Sequence, residues 1–311
     1  MLVVWRFYDG KPGHDRQSAG LLQALAATSA IDAVSFDVRE RPISVWHYLS
    51  RRLPVGAGMP APDLVIGAGR RCQWPVLAAR RARGGRTIYL MKPQLPVRCF
   101  DLCLIPRHDR PRANPRIIVT DGVLNDMQVP TRRPDRTLLL IGGPSDHFAW
   151  DESALVAQIQ ALVDAAPEKT WVIADSRRTP PATSAALQQL AGDHVTVVPF
   201  REAERGWLVT ELARSDIAWV SADSVSMIYE ALTVGAAVGV LEVPAKREDR
   251  ISGIAADLAA RGLVTPYRNW RDGAVLTARP PLAEAARCAD LVLQRWAPAT
   301  RTSETWCPVP Q

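Results

Sequence analysis

The segment from Ile217 to Pro244, IAWVSADSVSMIYEALTVGAAVGVLEVP, leaves this chain few folds to choose from. An apolar run, Ile217 to Val220, meets a small polar turn, Ser221-Ala222-Asp223-Ser224. A helix pattern follows to Val234, Gly235 stops it, and Val238 to Val243 reads as the next strand. Asp223 or Ser224 suits the helix N-cap, because a short side-chain oxygen can accept an orphan backbone N–H. Val225, Ile228 and Leu232 form an apolar stripe, while Ser226 and Glu230 lie four apart on another face. A strand that delivers small polar residues to a helix N-terminus makes an anion site. Glu230 can then accept hydrogen bonds from a sugar's hydroxyl pair. The plainer alternative is a capped crossover helix carrying a solvated glutamate.

The unit recurs along the chain. Leu2 to Phe7 runs into the Gly- and Pro-containing loop 9–14 and a helix to about Ala27. Asp63 to Gly67 runs into loop 67–71 and a helix to about Arg83. Thr137 to Ile141 runs into Gly142-Gly143-Pro144-Ser145, and Thr170 to Ala174 into loop 175–180. Asp32 to Arg39, Thr87 to Met91, Leu102 to Ile105, Ile117 to Val119 and Val195 to Pro199 add apolar strands of the parallel type. Helices are expected at 152–165, through 190, at 203–213, 251–261 and 282–296, and 42–62 reads as irregular or a short helix. Residues 121–135 lack periodicity and read as a linker. Strand and helix alternate through both halves, so the chain is expected to be α/β, with two Rossmann-like parallel-sheet domains facing a cleft. Their expected limits are 1–130 and 131–285, with 286–311 as a crossing helix and tail.

At 311 residues, with 47% hydrophobic and 23% charged residues, two ordinary globular domains are accommodated. No window resembles a membrane span, and the N-terminus does not read as a signal peptide. The five cysteines are scattered, and Cys99 and Cys103 lack the partners of a zinc site, so reduced thiols in a cytoplasm and no metal are expected. The net charge of +6 comes largely from clustered arginines, at 70–71, 80–86, 107–116, 132–133 and 177–178. Such a surface suits an anionic lipid or a phosphorylated small molecule. Nucleic acid is disfavoured, since no helix-turn-helix or RNP pattern accompanies the charge.

Ligands of an open α/β sheet gather at the carboxyl ends of its strands, where loops 9–14, 67–71, 142–147, 175–180 and 221–226 fall. Gly142 and Gly143 allow backbone N–H groups to approach a phosphate. Arg177 and Arg178 have the fork geometry to hold a diphosphate, or else form surface ion pairs. His14 is placed as a general base, or else as a cap of its helix. No GxGxxG or Walker pattern is present, so neither a dinucleotide cofactor nor a kinase is expected.

In order along the chain, DGKPGHDRQSAGL (9–21), GAGRR (67–71), GGPSDHFAW (142–150), DSRRTP (175–180) and SADSVSMIYEAL (221–232) resemble the hallmark segments of one family. It is the bacterial family related to the plant "elongated mitochondria" fission protein, which also carries the name of nucleoside-diphosphate-sugar epimerases. More distantly, DGKPGH resembles the GGTGGH loop of the lipid-linked N-acetylglucosaminyl transferases, with Asp9 and Lys11 replacing small residues. The helix around Glu230 resembles their nucleotide-sugar helix. These resemblances imply a GT-B-like fold with the acceptor at the first domain and the donor at the second. They imply transfer of a sugar from a nucleoside-diphosphate donor to a cell-envelope or lipid-linked acceptor, with no cofactor beyond that substrate. In that reading Gly142, Gly143, Ser221 and Ser224 bind phosphate, Arg177 and Arg178 neutralise the leaving diphosphate, and Glu230, with Ser226 beside it, holds the ribose. His14 or Asp9 activates the acceptor, and Gly10, Lys11, Gly13 and Arg70 form the acceptor-side loop. A 2-epimerase of the same fold, in which His147 matters as much as His14, and a non-enzymatic membrane or partner adaptor are the alternatives.

Overall fold

The computed structural model describes residues 1–129, 136–204 and 206–296. Residues 130–135 of the expected linker, with Arg132 and Arg133, lie outside the described residues, as do the tail from Pro298 and Cys307.

The first sheet is assembled from β1 (Leu2–Tyr8), β2 (Ile31–Asp37), β3 (Leu64–Ala68), β4 (Arg86–Leu90), β5 (Leu102–Pro106) and β6 (Ile117–Thr120), in the order β2-β1-β3-β4-β5-β6. Pairing is parallel, with Val4 beside Leu64 and Ile66 beside Ile88. All five residues of β3 and all five of β5 are buried, the continuous apolar run of a strand covered on both faces. Helix α1 (Pro12–Thr28) begins three residues before its expected start, because Pro12 occupies a first-turn position where its missing N–H costs nothing. Leu21 and Leu25 of α1, Trp5 and Phe7 of β1, and Val76 of α3 (Gln73–Arg83) are fully buried. The irregular stretch 42–62 contains α2 (Val45–Ser50), opened by a capping box between Ser44 and His47. Tyr48 of α2 lies 5.9 Å from Trp74 of α3, ring to ring.

The second sheet comprises β7 (Arg136–Leu140), β8 (Thr170–Ala174), β9 (Val195–Val198), β10 (Ile217–Ser221), β11 (Ala237–Leu241) and β12 (Thr265–Pro266), in the order β12-β11-β10-β7-β8-β9. One face carries α4 (Glu152–Ala165) and α5 (Pro181–Gln188), with Leu155, Ile159 and Leu187 buried against Leu139, Ile173 and Trp219. The other carries α6 (Trp207–Ala213), α7 (Val225–Val234) and α8 (Ile254–Ala260), with Leu212, Ile228, Leu232 and Leu258 against Leu138, Leu140, Val220 and Val240. Alternate residues of β7 and β10 therefore serve opposite cores, as a period of two demands. The strand β12 and the helix α9 (Tyr267–Arg271) were not expected. Both are too short for a periodic signal, and α9 is held by Tyr267 and Trp270, whose rings lie 6.4 and 5.8 Å from Trp219.

By contact density the chain divides into residues 1–104 with the stretch from Ala285, and residues 105–284. The helix α10 (Glu284–Trp296) starts at that second boundary. Among the described residues no helix is long and apolar enough to cross a membrane.

Candidate functional site

In the first unit β1 and β3 lie side by side, so the loops at their carboxyl ends meet. Asp9 closes β1 and is 3% exposed. His14 stands in the first turn of α1, with Nδ1 3.1 Å from each Asp9 carboxylate oxygen. A carboxylate only accepts, so Nδ1 is the donor, and in the neutral imidazole Nε2 is left with the lone pair. The Lys11 N–H also donates to Asp9 Oδ1, at 3.2 Å. Gly69, in the loop after β3, has φ +84°, and a Cβ there would stand 2.1 Å from His14 Nδ1. The second glycine of GAGRR thus makes room for the Asp9–His14 pair. Gly10, at φ +74°, lies under the Arg39 guanidinium, whereas the Cα of Gly13 faces open space. Arg39 is held by a fork to Asp37, with Nη2 to Oδ2 at 2.6 Å and Nε to Oδ1 at 3.0 Å. That bond holds the Asp37 carboxyl below its ordinary range. Burial pushes the nearby Asp15 carboxyl up, against the pull of Arg6.

A cavity of about 710 Å³ opens beside the pair, lined by Asp9, Lys11, Arg39, Arg70, Arg71 and Trp74 among others. Of these the sequence reading singled out Asp9, Lys11 and Arg70. Arg39 and Trp74 were missed, Arg71 was read only within the 70–71 cluster and loop 67–71, and only the fold brings Arg39 over Gly10.

In the second unit three loops at the ends of β7, β8 and β10 are laced together. The Gly142 N–H donates to Ser221 Oγ at 2.8 Å, and the Gly143 N–H to Asp223 Oδ2 at 3.0 Å. Arg178 donates from Nη2 to Asp223 Oδ2 at 2.7 Å and to Ser224 Oγ at 3.1 Å, and from Nη1 to the Gly143 carbonyl at 2.7 Å. Ser176 and Thr179 both donate to the Gly142 carbonyl. A Cβ on Gly142 would stand 2.1 Å from Asp223 Oδ2, and one on Gly143 2.1 Å from the Arg178 carbonyl. Both glycines are thus explained by loop-to-loop closeness, and their N–H groups have partners inside the protein.

Ser224 is the N-cap of α7 but makes no side-chain cap bond, and Asp223 turns to Gly143 and Arg178 instead. Arg177 stands 5.9 Å over the Phe200 ring, away from this network. Ser226 is exposed and Glu230 is 6% exposed, so the two residues expected to share a face differ in accessibility. Asp223, the hub of the network, was read from the sequence only as a cap. The signal was a carboxylate within an anion-type loop, which calls for an internal cation. His147 Nδ1 lies 2.6 Å from Asp249 Oδ2. The Asp249 carboxyl is held well below its ordinary range, first by the Ser252 backbone N–H and next by His147. Among the described residues no three His, Cys, Asp or Glu side chains are gathered to hold a metal.

Two doubly wound α/β units, with polar loops at the carboxyl ends of their strands, define a protein of the GT-B-like fold class. The sequence profile of the Mitochondrial fission ELM1 family matches residues 12–296, and the chain belongs to that family. Among curated proteins none matches the sequence. Solved structures of similar fold include a Listeria monocytogenes protein that bears the name of a UDP-N-acetylglucosamine 2-epimerase. It is 11% identical, with a TM-score of 0.57, and the match covers 94% of this chain and 96% of that one. The UDP-GlcNAc 2-epimerase of Neisseria meningitidis, solved with UDP-GlcNAc, is 12% identical with a TM-score of 0.54, covering 94% and 99%. That of Methanocaldococcus jannaschii is 11% identical with a TM-score of 0.54, covering 94% and 100%. At such identities the likeness is one of fold.

Proposed function

We propose that the protein transfers a sugar from a nucleoside-diphosphate donor to an acceptor bound by the first unit. The observation that carries this reading is the Asp9–His14 pair, in which a buried carboxylate that also lines a cavity large enough for a second substrate orients an imidazole base. In the reaction His14 Nε2 takes the proton of an acceptor hydroxyl as its oxygen attacks the anomeric carbon. The bond from that carbon to the diphosphate breaks, and the nucleoside diphosphate leaves with the electron pair. Asp9 keeps Nδ1 protonated and stabilises the imidazolium that forms. The donor is assigned to the loops around Gly142, Gly143, Arg177, Arg178, Ser221 and Ser224. With the internal N–H bonds in place, the diphosphate is met chiefly by the outward edge of Arg178 and by the first turn of α7. The clustered arginines support an anionic membrane face as the place of work.

The test is release of nucleoside diphosphate from a panel of nucleotide sugars. His14→Ala and Asp9→Asn should each lower turnover about 100-fold or more and leave donor affinity unchanged. Loss of donor affinity with unchanged turnover would defeat the assignment. A second reading, 2-epimerisation by elimination and re-addition of the diphosphate, is favoured by one observation, the His147–Asp249 pair as a second acid/base group. It requires exchange of the sugar's C2 proton with solvent, abolished by His147→Ala. A donor that turns over without such exchange excludes it.

A further inference from the structure

The cavity beside Asp9 carries more charge than a neutral sugar acceptor needs. Lys11, Arg39, Arg70 and Arg71 line it, against the single carboxylate of Asp9, which is already engaged with His14. Among the described residues Lys11, Arg70 and Arg71 make no ion pair, so their charge faces solvent and the cavity. Arg39 is different, because Asp37 holds its Nε and Nη2 and fixes the guanidinium above Gly10. A guanidinium held in that way by Nε and Nη2 leaves Nη1 to meet a phosphate. Cations this dense beside a closed backbone loop suit an anion with several acceptor oxygens.

The rest of the cavity is not built for an anion. Val38 and Ile43 are buried in its wall, and Pro42 and Trp74 complete its apolar part. Trp74 also lines a second hollow, of about 470 Å³, together with Tyr48, Leu77, Leu95, Arg80, Arg81 and Arg98. One indole therefore joins a cationic chamber to an apolar trough rimmed by arginines. On α2, which carries Tyr48, Trp46 and Leu49 are 72% and 54% exposed. A phosphate alone would leave most of the 710 Å³ empty.

We propose that the first unit binds a phosphate-bearing amphiphile. Its phosphate sits among Lys11, Arg39, Arg70 and Arg71, and its apolar chain runs over Trp74 toward Tyr48, Leu77 and Leu95. The phosphate is the handle, and a hydroxyl of the same molecule is what Asp9 and His14 act on. The proposal rests on the transfer reading for that last clause alone, since binding is measurable without turnover.

Calorimetric titration below micellar concentration, with farnesyl phosphate, farnesol, glucose 1-phosphate and inorganic phosphate, decides it. Farnesyl phosphate should bind at least about tenfold more tightly than each of the other three, and its affinity should fall as salt rises. Arg70→Ala with Arg71→Ala should weaken it about tenfold or more, leaving farnesol unchanged. Trp74→Ala should weaken farnesyl phosphate but not inorganic phosphate. Thermal melts accompany each variant, and Arg70→Lys with Arg71→Lys, which keeps the charge, should retain most of the affinity. Equal binding of farnesol removes the phosphate handle. Equal binding of glucose 1-phosphate makes a soluble sugar phosphate the ligand and overturns the amphiphile, as does no binding by farnesyl phosphate at all. If His14→Ala stops transfer and farnesyl phosphate never binds, this inference falls and the transfer reading stands. If farnesyl phosphate binds as described and no nucleotide sugar is ever consumed, the transfer reading falls and the binding site stands.

Discussion

Gly69 and Asp223 each decide the geometry of one unit's loops without being an obvious reactive group. At Gly69 the backbone is left-handed, and an added methyl would collide with His14 and lie 2.9 Å from Asp9 Oδ2. Gly69→Ala should therefore part the pair while costing roughly 1–2 kcal/mol of stability through the strained φ. In a histidine-selective NMR spectrum, the protected Nδ1 proton of wild type should disappear in the variant. Its survival would show that His14 is held by something other than Asp9. Asp223 is the acceptor for Gly143, Arg178 and Ser224 at once. Asp223→Ala leaves the Gly143 N–H buried and unmet, so a loss of about 1–3 kcal/mol in a urea melt is expected. Little is added for Arg178, whose side chain is 43% exposed and can turn to water. Unchanged stability would mean that another group already serves Gly143.

Among the elements, β10 and β11 show how sequence and register depend on each other. Trp219 pairs with Gly239, and a Cβ on Gly239 would stand 2.3 Å from the indole ring. Gly239→Ala overpacks a site where the ring is 2% exposed, and should cost about 1–3 kcal/mol, read in the same melt. A neutral result would mean that the ring can slide within its core. From the sequence, the glycine in AAVGVLEV reads only as an interruption of a strand. Its reason lies on a neighbouring strand, which no local pattern displays. The same gap explains the candidate site. The loops at 9–14, 67–71, 142–143, 175–180 and 221–224 were legible, because each follows an apolar run with small or turn-forming residues. Which N–H groups are already bonded was not legible, since Ser221 and Asp223 reach Gly142 and Gly143 across about eighty positions. Glu230 shows the limit most plainly. Helical spacing from Ser226 suggested an accessible face, and the packing of α7 buries it.

Across the whole molecule the alternation of apolar runs and helices made both sheets legible. Strands of a parallel sheet covered on both faces are continuous apolar runs, and β3, β5 and β11 are fully buried. The strand order was not legible, because crossovers leave no trace in local composition, and neither was the five-residue α9. The two buried sheets also set how the molecule meets base. Burial pushes the Cys72 thiol from its ordinary value near 9 up to about 12, and the Tyr229 hydroxyl from near 10 up to about 12. The Tyr89 hydroxyl is raised as well, again chiefly by burial. Above pH 9 the unfolded chain loses the Cys72 proton while the folded chain keeps it, so the unfolded state binds fewer protons and stability falls with rising pH. The slope for one such group is about 1.4 kcal/mol per pH unit. Below pH 9 the contribution is fully present, and it is lost on the way to about pH 12. Cys72 lies in the unit of residues 1–104 and Tyr229 in that of residues 105–284, so the loss should begin in the first unit near pH 9 and reach the second above pH 10. Urea melts at pH 7, 9, 10 and 11 should show this, followed by hydrogen exchange of β3 for the first unit and of β10 for the second. Cys72→Ala should flatten the first step between pH 9 and 10 by about 1 kcal/mol, whatever it costs at neutral pH. An unchanged slope in that variant would mean that the thiol ionises in the folded protein and that the core around α3 is open to water.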